Sequence, residues 1–274
     1  MPDLFCHRKP IRLISYFLAL LLMVALLGCT ERRQQSLIQE AEEKISRTQY
    51  AEGAELLKKA VSLNPESRSS SKALYKLGFT MESYLRDMEG ALFNYHEFIR
   101  LSQDPVSIYE VLKRVANIYF EQTQDYEKAI NSYKKLLSFS PESLEADVFQ
   151  LRVALSFFQQ NKFEQSREEF QTLTVKYPKS QYLARARYEI GNSYYMEGKY
   201  DIAVEALKQV LRLHPQSEFS TESQFLMGQC FEHLERFKEA LQTYENIEGR
   251  YVSPEILKYR MNILRKKPKP TKVE

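Results

Sequence analysis

The sequence predicts an all-α fold, a solenoid of about six stacked helical hairpins closed by a C-terminal capping helix. Three observations predict it. A helix-face pattern returns six times, at steps of 38, 38, 37, 37 and 37 residues. It is an aromatic or Met, a small residue three on, a bulky one four further, and another mostly apolar one three beyond that. Tyr50, Gly53, Leu57 and Ala60 open the series, and Met88, Ala91, Tyr95 and Phe98 repeat it. Tyr126, Ala129, Tyr133 and Leu136 come next, then Phe163, Ser166, Phe170 and Leu173. Tyr200, Ala203, Leu207 and Val210 precede the last copy, Phe237, Ala240, Tyr244 and Ile247. Offsets of 3, 7 and 10 trace one face of an α-helix, and a fixed period in this range marks hairpins that must stack to bury that face.

The second observation is that Pro65, Pro105, Pro141, Pro178, Pro215 and Pro254 each fall shortly after one copy of the pattern. A proline inside a helix costs about 3 kcal/mol, so these positions mark helix boundaries. The third is a small residue nine or ten positions before each leading aromatic or Met: Ala41, Gly78, Ala116, Ala154, Gly191 and Gly228. Small residues facing each other let the two helices of a hairpin approach closely.

Taken in chain order, the first element is a signal segment over residues 1–28. Arg8, Lys9 and Arg12 precede an apolar run from Leu13 to Leu27, broken only by Ser15 and ending at Gly28-Cys29. Residues 29–32 are then a short linker, and 33–250 are the solenoid. Its hairpins pair 33–48 with 50–63, 69–85 with 88–102, 106–122 with 125–139, 142–160 with 162–176, 180–197 with 200–213, and 217–235 with 237–249. Ser107, Ser143 and Ser217 stand where a side-chain hydroxyl caps the following helix. Repeats two and three carry one residue more, which is expected in the turn between their helices and should shift the local superhelix. Residues 254–265 form the capping helix, with Ile256, Tyr259, Ile263 and Leu264 as its apolar face. Residues 266–274 hold two prolines and four lysines and are expected to be a disordered basic tail.

Composition narrows the function. Losing the signal segment removes three basic residues and one acidic one, leaving 36 against 35, so no global charge favours nucleic acid. Of the three cysteines, Cys6 would leave with the signal, Cys29 would become the new first residue, and Cys230 remains as a buried apolar residue inside a helix. No intrachain disulfide is then available. The eight glycines form no phosphate-binding loop, and His7, His96, His214 and His233 lack metal-ligand spacing. Adjacent acids such as Glu42-Glu43 and Glu168-Glu169 read as solvated helix faces. With no nucleophile paired to a base, the reading is a non-enzyme that needs no cofactor or metal.

Two resemblances add to this. Leu26-Leu27-Gly28-Cys29 resembles the bacterial lipoprotein box, which implies lipidation of Cys29; Thr30 after it implies sorting to the periplasmic face of the outer membrane. Gly191, Tyr194, Tyr200, Ala203 and Pro215, then Gly228, Phe231, Phe237 and Ala240, resemble tetratricopeptide repeats, whose stacking is right-handed. Long units joined by segments such as Lys176-Tyr177-Pro178-Lys179-Ser180 are similar to two bacterial envelope families. One is the outer-membrane lipoprotein family of the β-barrel assembly machinery, typified by BamD. The other is the periplasmic Tol-Pal coordinator family, typified by CpoB. A lipoprotein scaffold of a secretion, pilus or motility complex is a further alternative.

In tetratricopeptide folds the first helix of each pair lines the concave face. The resemblance therefore assigns Tyr75, Phe79, Lys113, Asn117, Phe158, Arg185, Tyr188, Asn192, Tyr195, Phe225 and Gln229 to a peptide groove. Aromatics supply contact area, asparagine amides hold an extended backbone, and a cation fixes a carboxylate. Lys113, Asn117 and Arg185 partly resemble a carboxylate clamp. The implied partners are envelope proteins or their peptide segments, β-barrel assembly components among them, with the membrane reached through the lipid anchor and no nucleic acid bound.

Overall fold

The computed structural model describes residues 9–267, with side chains from Gly28 onward. The signal segment lies outside the described residues apart from its backbone from Lys9 and Gly28, and the basic tail lies outside them from Pro268. The described residues form thirteen α-helices, packed in consecutive pairs within each unit, a solenoid of the tetratricopeptide type. They divide into two compact units, Met1–Ile118 and Tyr119–Glu274.

In the first unit α1 (Lys9–Ser46) pairs with α2 (Tyr50–Leu63), and α3 (Arg68–Thr80) with α4 (Met88–Leu101); α5 (Pro105–Asn117) packs on α4. Residues 29–32, read as a linker, are helical and continue α1. The second unit runs through α6 (Tyr126–Phe139), α7 (Ala146–Gln159), α8 (Phe163–Lys176), α9 (Leu183–Met196) and α10 (Tyr200–Leu213). It closes with α11 (Glu218–His233), α12 (Phe237–Glu245) and the cap α13 (Pro254–Lys266). Each helix in it packs on the next.

The repeat pattern is the core. In all six copies the second, third and fourth positions are buried, and the leading aromatic or Met is half-buried. The six small residues of the first helices are buried as well. At Gly191 the reason is direct, since a Cβ there would lie 2.6 Å from the Leu207 side chain of its own partner helix. A buried glutamine ties the first two hairpins together. Gln34 Nε2 donates to the Ala60 carbonyl at 2.8 Å and to Ser70 Oγ at 2.9 Å, while its Oε1 accepts from Ser67 at 3.0 Å. A side-chain amide with all these partners is as well satisfied as in water, so its burial specifies register at little cost.

Turn chemistry is as periodic as the core. Two residues before each leading aromatic or Met, the backbone enters the left-handed region: Thr48, Arg86, Gln124, Asn161, Gly198 and Glu235, with φ from 54 to 74°. In the regular turns the next amide reaches back five residues, as Lys199 does to the Tyr194 carbonyl at 2.9 Å and Arg236 to that of Phe231 at 2.9 Å. That arrangement satisfies carbonyls the helix end leaves open.

Three further expectations change. The extra residue of repeats two and three does not lengthen the turn. It is taken up in the last turn of the first helix, which widens to π-helix over Met81–Leu85 and Ile118–Gln122. Both the small slot upstream and the left-handed residue downstream are held, so one added residue can enter only by widening the helix between them. Second, Ser107 does not cap α5. Pro105 is its first residue and Asp104 caps it, accepting from Val106 N at 3.2 Å and Ser107 N at 3.3 Å. Ser143 holds the turn before α7 by accepting from Glu145 N at 3.2 Å, whereas Ser217 does cap α11, accepting from Phe219 N at 3.3 Å. Third, the cap buries Leu257, Met261 and Leu264, and leaves Ile256, Tyr259 and Ile263 exposed. The two sets lie about 100° or more apart on one helix, and the set that fits beside α12 wins the core.

Candidate functional site

In the first unit the ends of α1 and α3 enclose an aromatic cleft of about 310 Å³, lined by Ile45, Ser46, Tyr75, Phe79, Thr80 and Tyr84. The π-helical turn supplies Tyr84, which stacks on Tyr50 with ring centroids 4.2 Å apart and meets the edge of Phe79 at 6.0 Å. Tyr75 leans on Phe98 at 5.7 Å, and Lys76 closes one rim through an ion pair to Glu42 at 2.7 Å. A larger recess of about 620 Å³ beside the proline-marked turns is walled mainly by charged and hydroxyl side chains, with only Phe98 and Leu101 as large apolar ones.

Beside the cleft Glu82 accepts from the Tyr95 hydroxyl at 2.6 Å and from Arg114 Nη1 at 3.1 Å, while the Arg114 guanidinium lies 4.9 Å above Phe79. Burial and the Glu82 carboxylate both push the Tyr95 phenol far above its ordinary range. Phe79 is therefore held by a cation on one face and by a perpendicular contact with Tyr84. Lys113 pairs with Glu110 at 3.3 Å and stands over Tyr109, and Asn117 is exposed near the end of α5.

In the second unit the expected groove residues line the first helices of three hairpins. Phe158 meets Phe163 edge-on at 5.3 Å. On α9, Glu189 accepts from the Asn192 amide at 3.1 Å and lies 3.9 Å from Arg185. Its side chain is 12 % exposed, and burial raises the carboxyl against the opposing effects of Asn192 and Arg185. Tyr188 packs on Phe219 at 5.5 Å, and burial pushes its phenol well above the ordinary value. The Tyr195 hydroxyl and His233 Nε2 are 3.3 Å apart, and the His233 ring stacks on Tyr200 at 4.4 Å. Phe225 stacks on Tyr251 at 4.2 Å beneath the Arg260 guanidinium, with Gln229 half-buried one turn on.

Several of these side chains are already committed within the chain. The Asn192 amide serves Glu189, so it meets a peptide backbone only by giving up that bond. Phe225 and Tyr195 are partly covered by aromatic neighbours and offer edges. Cys29 is exposed, and Cys230 is buried with its thiol pushed up to about 12 by burial. His214 accepts from Arg187 Nε at 3.3 Å, and burial lowers its pKa.

Sequence reasoning passed over a row of charges two residues before the small slots of the second to fifth hairpins. Lys76, Arg114 and Arg152 fill it in three successive hairpins, and Glu189 fills it in the next. Each cation reaches back to an acid: Lys76 to Glu42, Arg114 to Glu82, and Arg152 to Glu121 at 2.8 Å, with Arg152 also 4.5 Å above Phe120. The repeated register was the signal that could have found it. Tyr84 was missed because its aim depends on the π-helical turn.

Comparison with known proteins bears on this fold. Residues 152–250 match the YfiO family, described as outer membrane lipoprotein, and residues 110–143 match the tetratricopeptide repeat. Both are scaffold families rather than catalytic ones. No curated protein matches the chain. Among solved structures, Naa15/Naa10 bound to HypK-THB aligns over 89% of this chain and 36% of that one, at 13% identity and a TM-score of 0.68. PilW, a type IV pilus biogenesis factor, aligns over 82% and 97% at 13% identity and 0.50. YrrB, with an unusual peptide-binding site, aligns over 77% and 99% at 17% identity and 0.50. At such identities these likenesses establish the fold alone. The chain is a tetratricopeptide-repeat protein, and its residues 152–250 are similar to the YfiO family.

Proposed function

We propose that this chain is a lipid-anchored scaffold on the periplasmic face of the outer membrane that holds extended segments of envelope proteins during β-barrel assembly. The match of residues 152–250 to an outer membrane lipoprotein family is the observation that carries the reading. The apolar run ending at Cys29 supports the anchor. Acyl chains partition at about 0.8 kcal/mol per buried methylene, so one chain holds marginally and two or more hold firmly. The aromatic cleft at Tyr75, Phe79 and Tyr84 and the row Arg185, Tyr188, Asn192 and Phe225 supply the two kinds of contact an extended peptide needs. These are flat apolar area and directed polar groups.

Photo-crosslinkers at Tyr188 and Asn192 in living cells test the role, with captured proteins identified by mass spectrometry. Barrel-assembly subunits or unfolded outer-membrane proteins are the expected catch. Tol-Pal or peptidoglycan-synthesis proteins would instead move the chain to the coordinator family. The anchor is tested separately, since a Cys29→Ala variant should leave the membrane fraction. Retention at the wild-type level would sink it.

A further inference from the structure

The cap helix α13 buries one apolar stripe and exposes another. Leu257, Met261 and Leu264 are 1–5 % exposed, whereas Ile256 is 51 %, Tyr259 68 % and Ile263 40 % exposed, and Val252 just before the helix is 78 % exposed. The exposed residues step by three and four, so they form one continuous face. Isolated exposed apolar residues are ordinary, but a whole helix face of them at the end of a stack is a contact surface without its cover.

Charge says what covers it. Glu255 and Lys266 are eleven residues apart, three helical turns, and flank the stripe on the same side at opposite ends. Both are exposed, and neither forms an ion pair among the described residues. When two helices pack antiparallel, a flank of one meets the same flank of the other with its ends reversed. Two copies of α13 so arranged bring each Glu255 beside the other copy's Lys266. The centre of that arrangement falls between positions 260 and 261, within about one residue of the middle of the stripe. A parallel pair would set these flanks on opposite sides of the seam and leave both charges without a partner.

We infer that α13 is an interaction surface for a second copy of this chain, packed antiparallel about a two-fold axis through the Ile256, Tyr259 and Ile263 face. The two-fold makes the contact self-complementary and closed, so it yields dimers rather than filaments. α13 has 13 residues and is about 20 Å long, so the contact is at the small end of specific interfaces and should be reversible.

Sedimentation velocity of the full-length chain in detergent, over a concentration series, tests this. The wild type should pass from monomer to dimer, and Tyr259→Glu should weaken the association about tenfold or more. Glu255→Lys alone should weaken it, and adding Lys266→Glu to that variant should restore it, because reversing both charges rebuilds both pairs. All three positions are exposed, so the variants should keep the wild-type unfolding midpoint. In native membranes, Tyr259→Cys should give an oxidised dimer on a non-reducing gel where Lys258→Cys, on another face, does not. A chain that stays monomeric throughout, or a dimer indifferent to Tyr259→Glu, overturns the inference. So does capture of the stripe by a lipid surface or an unrelated protein in place of a second copy. Failure of the double charge reversal to rescue overturns the antiparallel arrangement.

Discussion

The first helices of the second and third hairpins and those of the fifth and sixth perform one task with different endings. In α3 and α5 ten residues separate the small slot from the next hairpin helix, and the last turn opens into π-helix; in α9 and α11 nine residues suffice and the α-helix ends regularly. The difference shows where a hairpin can absorb one residue. Its two ends are pinned, one by close packing at the small slot and the other by the left-handed turn residue. The insertion therefore stays inside the helix and re-aims the side chains of its last turn. Tyr84 is thereby turned onto Tyr50. Acids of one first helix meet cations of the next with or without the insertion, Glu82 and Glu121 in the π-containing repeats and Glu232, paired with Arg260, in the sixth. In the fifth hairpin the corresponding slot holds Glu189, which is desolvated and has only a 3.9 Å approach from Arg185 as its ion pair.

The largest effect should come from the feature that both regions share. Gly191→Leu and Gly78→Val each press a side chain into a bulky partner, Leu207 or the Tyr95 ring. Each is expected to cost about 3 kcal/mol in urea unfolding, and a small loss in either region would deny that the slots are equivalent. Next comes a hydrogen bond that the second hairpin shares with the sixth, where the Tyr244 hydroxyl donates to Glu232. Tyr95→Phe removes the hydroxyl that Glu82 accepts from, at a cost of about 1–2 kcal/mol. The fourth and fifth hairpins carry Phe170 and Leu207 at that position and have nothing comparable to lose.

Deleting Ser83 should convert the π-helical ending to the ordinary one. Loss of the Tyr50–Tyr84 stack should cost about 1 kcal/mol, with peptide contacts at the cleft reduced in crosslinking yield. Unchanged ring stacking in such a variant, read from near-ultraviolet dichroism, would separate the extra residue from the aim of Tyr84. Smaller still, Arg86→Gly and Glu235→Gly should each raise stability by about 0.5 kcal/mol, because both positions have positive φ, while Gly198→Ala should lower it by about 1 kcal/mol.

The last test is a pH dependence. A carboxyl whose pKa is raised by folding binds its proton more tightly in the folded state. Glu189 therefore costs stability above its folded pKa, and that cost fades as pH falls toward the ordinary 4.5. Glu189→Gln should raise the unfolding midpoint at pH 7 and leave it unchanged below pH 4.5. An equal gain at both would mean that the carboxyl is not desolvated.

Much of the fold was legible because burial in a stacked hairpin imposes a period on the chain. The buried positions of all six copies, the small slots and the proline-marked boundaries arise from that requirement alone. The cap was legible as an element, yet its face was not. A single helix with two apolar stripes is ambiguous until a neighbour chooses one, and Leu257, Met261 and Leu264 were chosen. The candidate site was legible only as a set of positions on first helices. Tyr75 and Phe79 do reach one cleft, but Tyr84, which completes it, and the commitment of Asn192 to Glu189 depend on side-chain contacts between residues that sequence spacing does not order.

The sequence by itself determined that this protein is a stack of six helical hairpins and which face of each helix is buried at the repeat positions, because a repeated apolar face has no other way to leave water. Only the tertiary structure decided how the extra residues of repeats two and three are stored, which acids meet which cations, and which stripe of α13 remains open. Those outcomes are settled by competition among neighbours for the same space, and no single stretch of chain contains both competitors.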